Sequence, residues 1–314
     1  MSKISVDKIS KKYFYKVNKG IIRREKKSVQ AIDQISFDIK PGEILGLVGE
    51  NGAGKTTIVK IISGVLKPDS GKVLIDNEDP FERSLEYRNK VALLLGQKGK
   101  LHPDMSINEA AEVYGAMYKL STSVIRDRVM KMSAVLGLNS EDINKQARTL
   151  SLGQRMKGEL CVSFINEPKV IFLDEPTIGL DIASIKSIRN FLKDYCCKQG
   201  AAVILTSHNL GDIVETSTKL LIVEKGKTVF YGNIEDLPKE YENNTRIKYQ
   251  MSEKMEKLDI PNTIIDENYY ITTCNSNEVD GVLNTIYSKG TVRNLDIEEK
   301  PIEKIIEEIM YGEQ

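Results

Sequence analysis

Histidine and cysteine are scarce in this chain of 314 residues, which has 2 of the first and 4 of the second. Cys161, Cys196, Cys197 and Cys274 follow neither the paired spacing of a metal site nor a disulfide framework, so a reduced cytosol suits them. An excess of one charge is also missing. The 45 basic residues balance 45 acidic ones, which leaves no basic footprint for nucleic acid. No apolar run approaches the roughly 20 residues of a membrane-crossing helix. Met1-Ser2-Lys3 leads into a polar strand rather than an apolar signal core. The expectation is a chain that does not cross a membrane by itself. Hydrophobic residues make up 40% of it, enough for a real core.

What is present is concentrated in one stretch. The apolar run Ile44-Leu45-Gly46-Leu47-Val48 leads into Gly49-Glu50-Asn51-Gly52-Ala53-Gly54-Lys55-Thr56-Thr57, which fits G-x-x-x-x-G-K-[ST]. Strand, glycine-rich turn and helix start stand in the order that a phosphate cradle needs. Glycines allow backbone geometries in which successive N–H groups point at phosphate oxygens. The helix start adds further N–H groups and the positive end of its dipole. Lys55 then reaches the β- and γ-phosphates of a nucleotide, and the Thr56 hydroxyl is placed to ligate Mg²⁺.

Downstream, Val170-Ile171-Phe172-Leu173 is an apolar strand that ends in Asp174 and Glu175. Asp174 can hold the metal ion through water. Glu175, read as the next strand residue with its side chain on the other face, can orient or deprotonate a water.

Leu150-Ser151-Leu152-Gly153-Gln154 resembles the signature motif of ABC-type ATPases, usually Leu-Ser-Gly-Gly-Gln. Gln97 resembles that family's glutamine loop, Pro176 to Asp181 its D-loop, and Thr206-Ser207-His208-Asn209 its switch-histidine loop. Tyr13 stands where the family places an aromatic that stacks on adenine. The motifs appear in family order, and the likeness covers roughly residues 3–232. Leu152 departs from the usual glycine, whereas Ser151 and Gly153 are kept. Ser151 with Gln154 is also a capping-box pattern that opens the helix Leu152–Phe164, and Asp181 is also a plausible helix N-cap.

The resemblance implies a P-loop α/β fold with a mixed sheet core, an antiparallel β layer and a helical subdomain. It implies ATP and Mg²⁺, with Thr56, Gln97 and Asp174 near the metal and Glu175, His208 and Gln97 in hydrolysis. Tyr13, Gly49, Asn51, Gly52, Gly54, Lys55, Thr56 and Thr57 would hold the nucleotide. Ser151, Gly153 and Gln154 would face the nucleotide of a second subunit, with Asp181 near the seam. One set of motifs calls for a partner domain, most simply a homodimer. The implied protein is the ATPase subunit of a transporter, an exporter, peripheral on the cytoplasmic face of the cell membrane beside membrane-spanning subunits. The alternative is a soluble ABC ATPase that acts on ribosomes or DNA.

Organisation follows the motifs. Residues 1–235 read as the ATPase domain, with strands at 3–8 and 35–40 around a basic insert near 14–29. That insert reads as solvated surface. Residues 98–165 read as helical, with a capping box at Ser106-Ile107-Asn108-Glu109 and a C-cap at Gly137. His102, without motif company, is expected on the surface. A polar linker near 233–245 precedes a small α+β domain, 246–314, with a strand at Tyr269–Thr273, a helix at Val279–Ser288, a strand at Val292–Ile297 and a last helix with Pro301 in its first turn. Its closing strand and helix weakly resemble the C-terminal modules of drug, sodium or polysaccharide exporter subunits.

Overall fold

In chain order the strands of the first unit are β1 (Ile4–Lys19), β2 (Arg23–Ile39), β3 (Ile44–Val48), β4 (Ser70–Ile75), β5 (Val91–Leu95), β6 (Val170–Asp174), β7 (Ala202–Thr206), β8 (Lys219–Glu224) and β9 (Lys227–Asn233). The computed structural model describes residues 4–19, 23–95, 99–241, 244–252, 260–266, 269–298 and 300–312. They divide into two units, Met1–Ile234 and Glu235–Gln314.

Strands β3 and β7 are buried at every position, and β6 at all but Asp174. Such unbroken apolar runs suit strands covered on both faces. They form a six-stranded sheet in the order β5-β6-β7-β3-β8-β9, parallel except for β9. Lys225 and Gly226 turn β8 into β9 with φ of 47° and 80°, the left-handed pair that a tight hairpin demands. In register, Asp174 lies opposite Thr206, and Leu47 opposite Thr206 from the other side. The loops after β3, β6 and β7 therefore leave one edge together, the carboxyl edge where open α/β sheets bind ligands.

A second, antiparallel sheet has the order β2-β1-β4. Ile4, Ile9, Ile35 and Phe37 from it share a core with Leu45 and Leu221 of the central sheet and Ile58 of the helix Lys55–Ile62. Here the structure corrects the sequence reading. The stretch taken as an insert is a continuation of both strands, with Tyr13 opposite Val29, Lys16 opposite Lys26 and Lys19 opposite Arg23. The pairing of β4 with β1 ends at Ser10 and Ser70, so beyond that point β1 and β2 form a two-stranded arm.

The helices Ile107–Met117, Thr122–Leu136 and Leu152–Ser163 pack on one another. Ser106 and Glu109 close the expected capping box, and Gly137 ends the second helix at φ 70°. His102 is exposed.

In the second unit β10 (Asn244–Met251), β11 (Thr263–Asp266), β12 (Tyr269–Asn275) and β13 (Val292–Glu298) form an antiparallel sheet ordered β11-β12-β10-β13. Ile247, Tyr249 and Met251 of β10 pack with Tyr270 and with Ile286 of the helix Val279–Ser288. The helix Ile302–Tyr311 follows Pro301, which is its N-cap. The stretch expected to be a linker holds a short helix, Leu237–Glu240, and the first residues of β10.

Candidate functional site

The loop between β3 and the helix Lys55–Ile62 turns through Gly54 at φ 112°. A Cβ there would come within 2.6 Å of the Ala31 carbonyl oxygen, so only glycine lets the loop lie this close to β2. Lys55 is 8% exposed, and its ammonium donates to the carbonyls of Gly49 at 2.5 Å and Glu50 at 3.1 Å. Burial lowers its pKa, opposed by the charges of Glu175 and Asp174. Thr56 and Thr57 follow in the first turn, where free N–H groups and the helix dipole favour anions.

Tyr13, Asn51, Gly52, Gly54, Lys55, Thr56, Thr57, Asp174, Glu175 and His208 line a single cleft of about 350 Å³. Gly49 meets it through the Lys55 contact. Gln97 lies outside the described residues. Among the described residues no group of three or more His, Cys, Asp or Glu could hold a metal ion by itself.

Glu175 does not continue the strand, contrary to the expectation from alternation. β6 ends at Asp174, and Glu175 turns into the left-handed region at φ 56°. For a residue with a Cβ this conformation costs about 1–3 kcal/mol and is kept only where neighbours enforce it. Its N–H donates to the Thr206 carbonyl at 3.2 Å and to the Thr206 hydroxyl at 3.1 Å. That hydroxyl donates in turn to Asp174 Oδ1 at 2.6 Å. The Glu175 carboxylate accepts the His208 backbone N–H at 3.0 Å, and its other oxygen is 3.3 Å from His208 Nε2. Burial raises the Glu175 pKa, while the neighbouring His208 works against that rise. The arrangement is a strained, partly desolvated carboxylate that faces a cleft, as a general base requires.

Thr206 is the residue whose role the sequence reading missed. In the sequence it stands only within the switch-histidine motif, and its position level with Asp174 at the end of an adjacent strand emerges from the register of the sheet.

Ser151, Gly153, Gln154 and Asp181 do not line this cleft. Ser151 caps the helix Leu152–Ser163, accepting from Gln154 N at 3.2 Å while Gln154 Oε1 accepts from Ser151 N at 2.9 Å. Gln154 Nε2 also donates to Asp142 at 2.9 Å. Asp181 caps the helix Ile182–Gln199 by accepting from Ser184 N at 2.9 Å. A Cβ on Gly153 would sit 2.3 Å from Ser184 Oγ, so the two helix starts interlock only with glycine there. Leu152, the departure from the motif, is 56% exposed and leaves this packing intact. The N-terminus of the helix Leu152–Ser163 thus has its own capped face, apart from the cleft.

Comparison with known proteins follows the same lines. The family described as "ABC transporter" matches residues 32–178. The chain is 30% identical over 213 residues to the ABC transporter ATP-binding protein NatA of Bacillus subtilis, covering 68% of this chain and 86% of that protein. It is 28% identical over 210 residues to the probable sulfate/thiosulfate import ATP-binding protein CysA of Chlorella vulgaris, covering 67% and 88%. Among solved structures, the fold matches the dimeric ATP-binding cassette MJ0796 bound to ADP and Pi, with a TM-score of 0.62 at 22% identity over 73% of this chain and 98% of that one.

Proposed function

The chain belongs to the ATP-binding subunits of ABC transporters, whose ATP hydrolysis is coupled to transport, and from this we propose that it drives an exporter by closing as a homodimer on two ATP molecules. Tyr13 stacks on the adenine, while Lys55, the glycine loop and the start of the helix Lys55–Ile62 receive the phosphates. Among the hydroxyls and carboxylates that line the cleft, the Thr56 hydroxyl and the Asp174 carboxylate are the hard oxygen donors assigned to the metal. That set fits Mg²⁺, which takes few protein ligands and completes its shell with phosphate and water. Thr56 and Asp174, with Gln97, would hold the ion, which when bound neutralises charge on the phosphates.

Glu175 accepts the proton of the attacking water, and His208 steadies both Glu175 and the γ-phosphate. The observation that carries this reading is the Glu175 carboxylate, left-handed in backbone and fixed by His208 at the mouth of the phosphate loop. Ser151, Gly153 and Gln154 stand on a face outside their own cleft, which supports their meeting the nucleotide of a second subunit, with Asp181 at the seam. Closure then follows from contacts that ATP makes only in the closed pair.

No helix among the described residues is long and apolar enough to cross a membrane. In this reading separate membrane-spanning subunits provide the path, with the chain on the cytoplasmic face. The export direction rests on the resemblance of the closing strand and helix, Val292–Glu298 and Ile302–Tyr311, to the C-terminal modules of exporter subunits.

The test is purification of the Glu175→Gln protein with ATP from detergent-solubilised membranes of its host. A co-purifying protein with several membrane spans is the expected result. Recovery with ribosomes or nucleic acid alone would overturn the transporter assignment of partners.

A further inference from the structure

Asp212, 2% exposed on the helix Leu210–Thr216, is the meeting point of three segments. Its Oδ2 accepts from the Thr177 hydroxyl at 2.5 Å and lies 3.4 Å from the Ser207 hydroxyl. Its Oδ1 accepts from the guanidinium of Arg189, on the helix Ile182–Gln199, and the other arm of Arg189 reaches Glu215 at 2.5 Å. Thr177 is two residues after Glu175, and Ser207 is one before His208. The carboxylate therefore ties together the two short segments that carry the Glu175–His208 contact.

We propose that Asp212 is a positioning residue for ATP hydrolysis, which sets the separation of Glu175 and His208 by holding Thr177 and Ser207 on one carboxylate oxygen. The left-handed turn at Glu175 needs support on both sides. Thr206 holds the amide side, through the Glu175 N–H. Thr177 holds the far side, and it is itself buried at 7% exposure, where a lost hydroxyl partner is not replaced by water. Arg189 makes the buried acid tolerable, since an isolated carboxylate in that position would be strongly disfavoured. Arg189 also fixes the orientation of the carboxylate, so that Oδ2 faces the hydroxyls. Asp212 touches no substrate and acts only through its neighbours.

The inference rests on Glu175 as the base, so the test measures both. Thr177→Val keeps the shape of the side chain and removes its donor, whereas Thr177→Ser keeps the donor. Turnover of the intact protein, nucleotide affinity and the thermal midpoint are measured for these two variants, for Asp212→Asn and for Glu175→Gln. Thr177→Val and Asp212→Asn are expected to lose roughly tenfold or more in kcat, since small misplacements of reacting groups have large effects on rate. Their nucleotide affinity stays at the parental value, and Thr177→Ser recovers most of the rate. Parental kcat in Thr177→Val, or an equal loss in Thr177→Ser, would overturn the proposal, as would affinity falling in step with kcat. Parental turnover in Glu175→Gln would instead sink the assignment of the base. Glu175→Gln inactive beside an unaffected Thr177→Val would sink the Asp212 role alone.

Discussion

In the proposed mechanism Glu175 and Lys55 divide the work at the cleft into chemistry and binding, and their variants should separate accordingly. Glu175→Gln keeps the size and the contact with the His208 N–H but cannot take a proton. Phosphate release should fall by about 10²–10⁴-fold, the usual contribution of general-base catalysis, with ATP binding retained in an equilibrium assay. Lys55→Ala removes a charge-assisted contact worth about 1.5–3 kcal/mol, so the Kd for ATP should weaken by roughly 10- to 100-fold. A pH profile follows from the raised pKa of Glu175. The working form is the carboxylate, present above that pKa and lost as pH falls through it. The acid limb of kcat should therefore lie at a higher pH than for an ordinary glutamate. A limb at the ordinary value would mean that some other group is the base. Glu175 was legible in the sequence as a carboxylate after an apolar strand. Its left-handed backbone was not, because that is imposed by Thr206, 31 residues further along the chain.

Helix starts and strand pairs differ in how far a local rule can see them. The capping boxes at Ser106 and Ser151 were readable because donor and acceptor lie three residues apart. For the same reason Ser151→Ala should lower stability by about 1 kcal/mol in a denaturant titration. Ser151→Arg should leave ATP binding by the single chain unchanged. In a Glu175→Gln background it should abolish the ATP-dependent dimer in size-exclusion chromatography. Persistence of that dimer would refute the composite site. By contrast only the first residues of β10 fall in the expected linker, and the rest lie in the C-terminal domain without being read as a strand. Its alternation of buried Ile247, Tyr249 and Met251 with Arg246, Lys248 and Gln250 was visible, but it follows Asn243-Asn244, a turn signal. The arm formed by β1 and β2 was missed because its lysines and arginines read as surface loop, whereas in a ribbon each pairs through the backbone whatever its side chain.

Across the whole chain, every residue that lines the cleft belongs to the unit Met1–Ile234. Residues 1–234 alone should therefore bind ATP with the affinity of the full protein, as calorimetry would show. A large loss would mean that the C-terminal unit shapes the site. The order of the motifs made this unit legible as an ATPase, because each motif is a short local pattern. The links between motifs, such as Thr177 to Asp212 across 35 residues, leave no trace in spacing and emerge only from the packing.

The arm beyond Ser10 also bears on solubility. Among the described residues no third strand lies beside β1 there, and an uncovered strand edge invites another chain to add to it. From Lys11 to Lys27 the sequence carries eight basic residues and one acid. A second arm laid alongside would bring like charges face to face, which disfavours the pairing. The charges that disguise these strands in the sequence therefore also act as gatekeepers against aggregation, so that a long bare ribbon resists templating fibrils of its own kind.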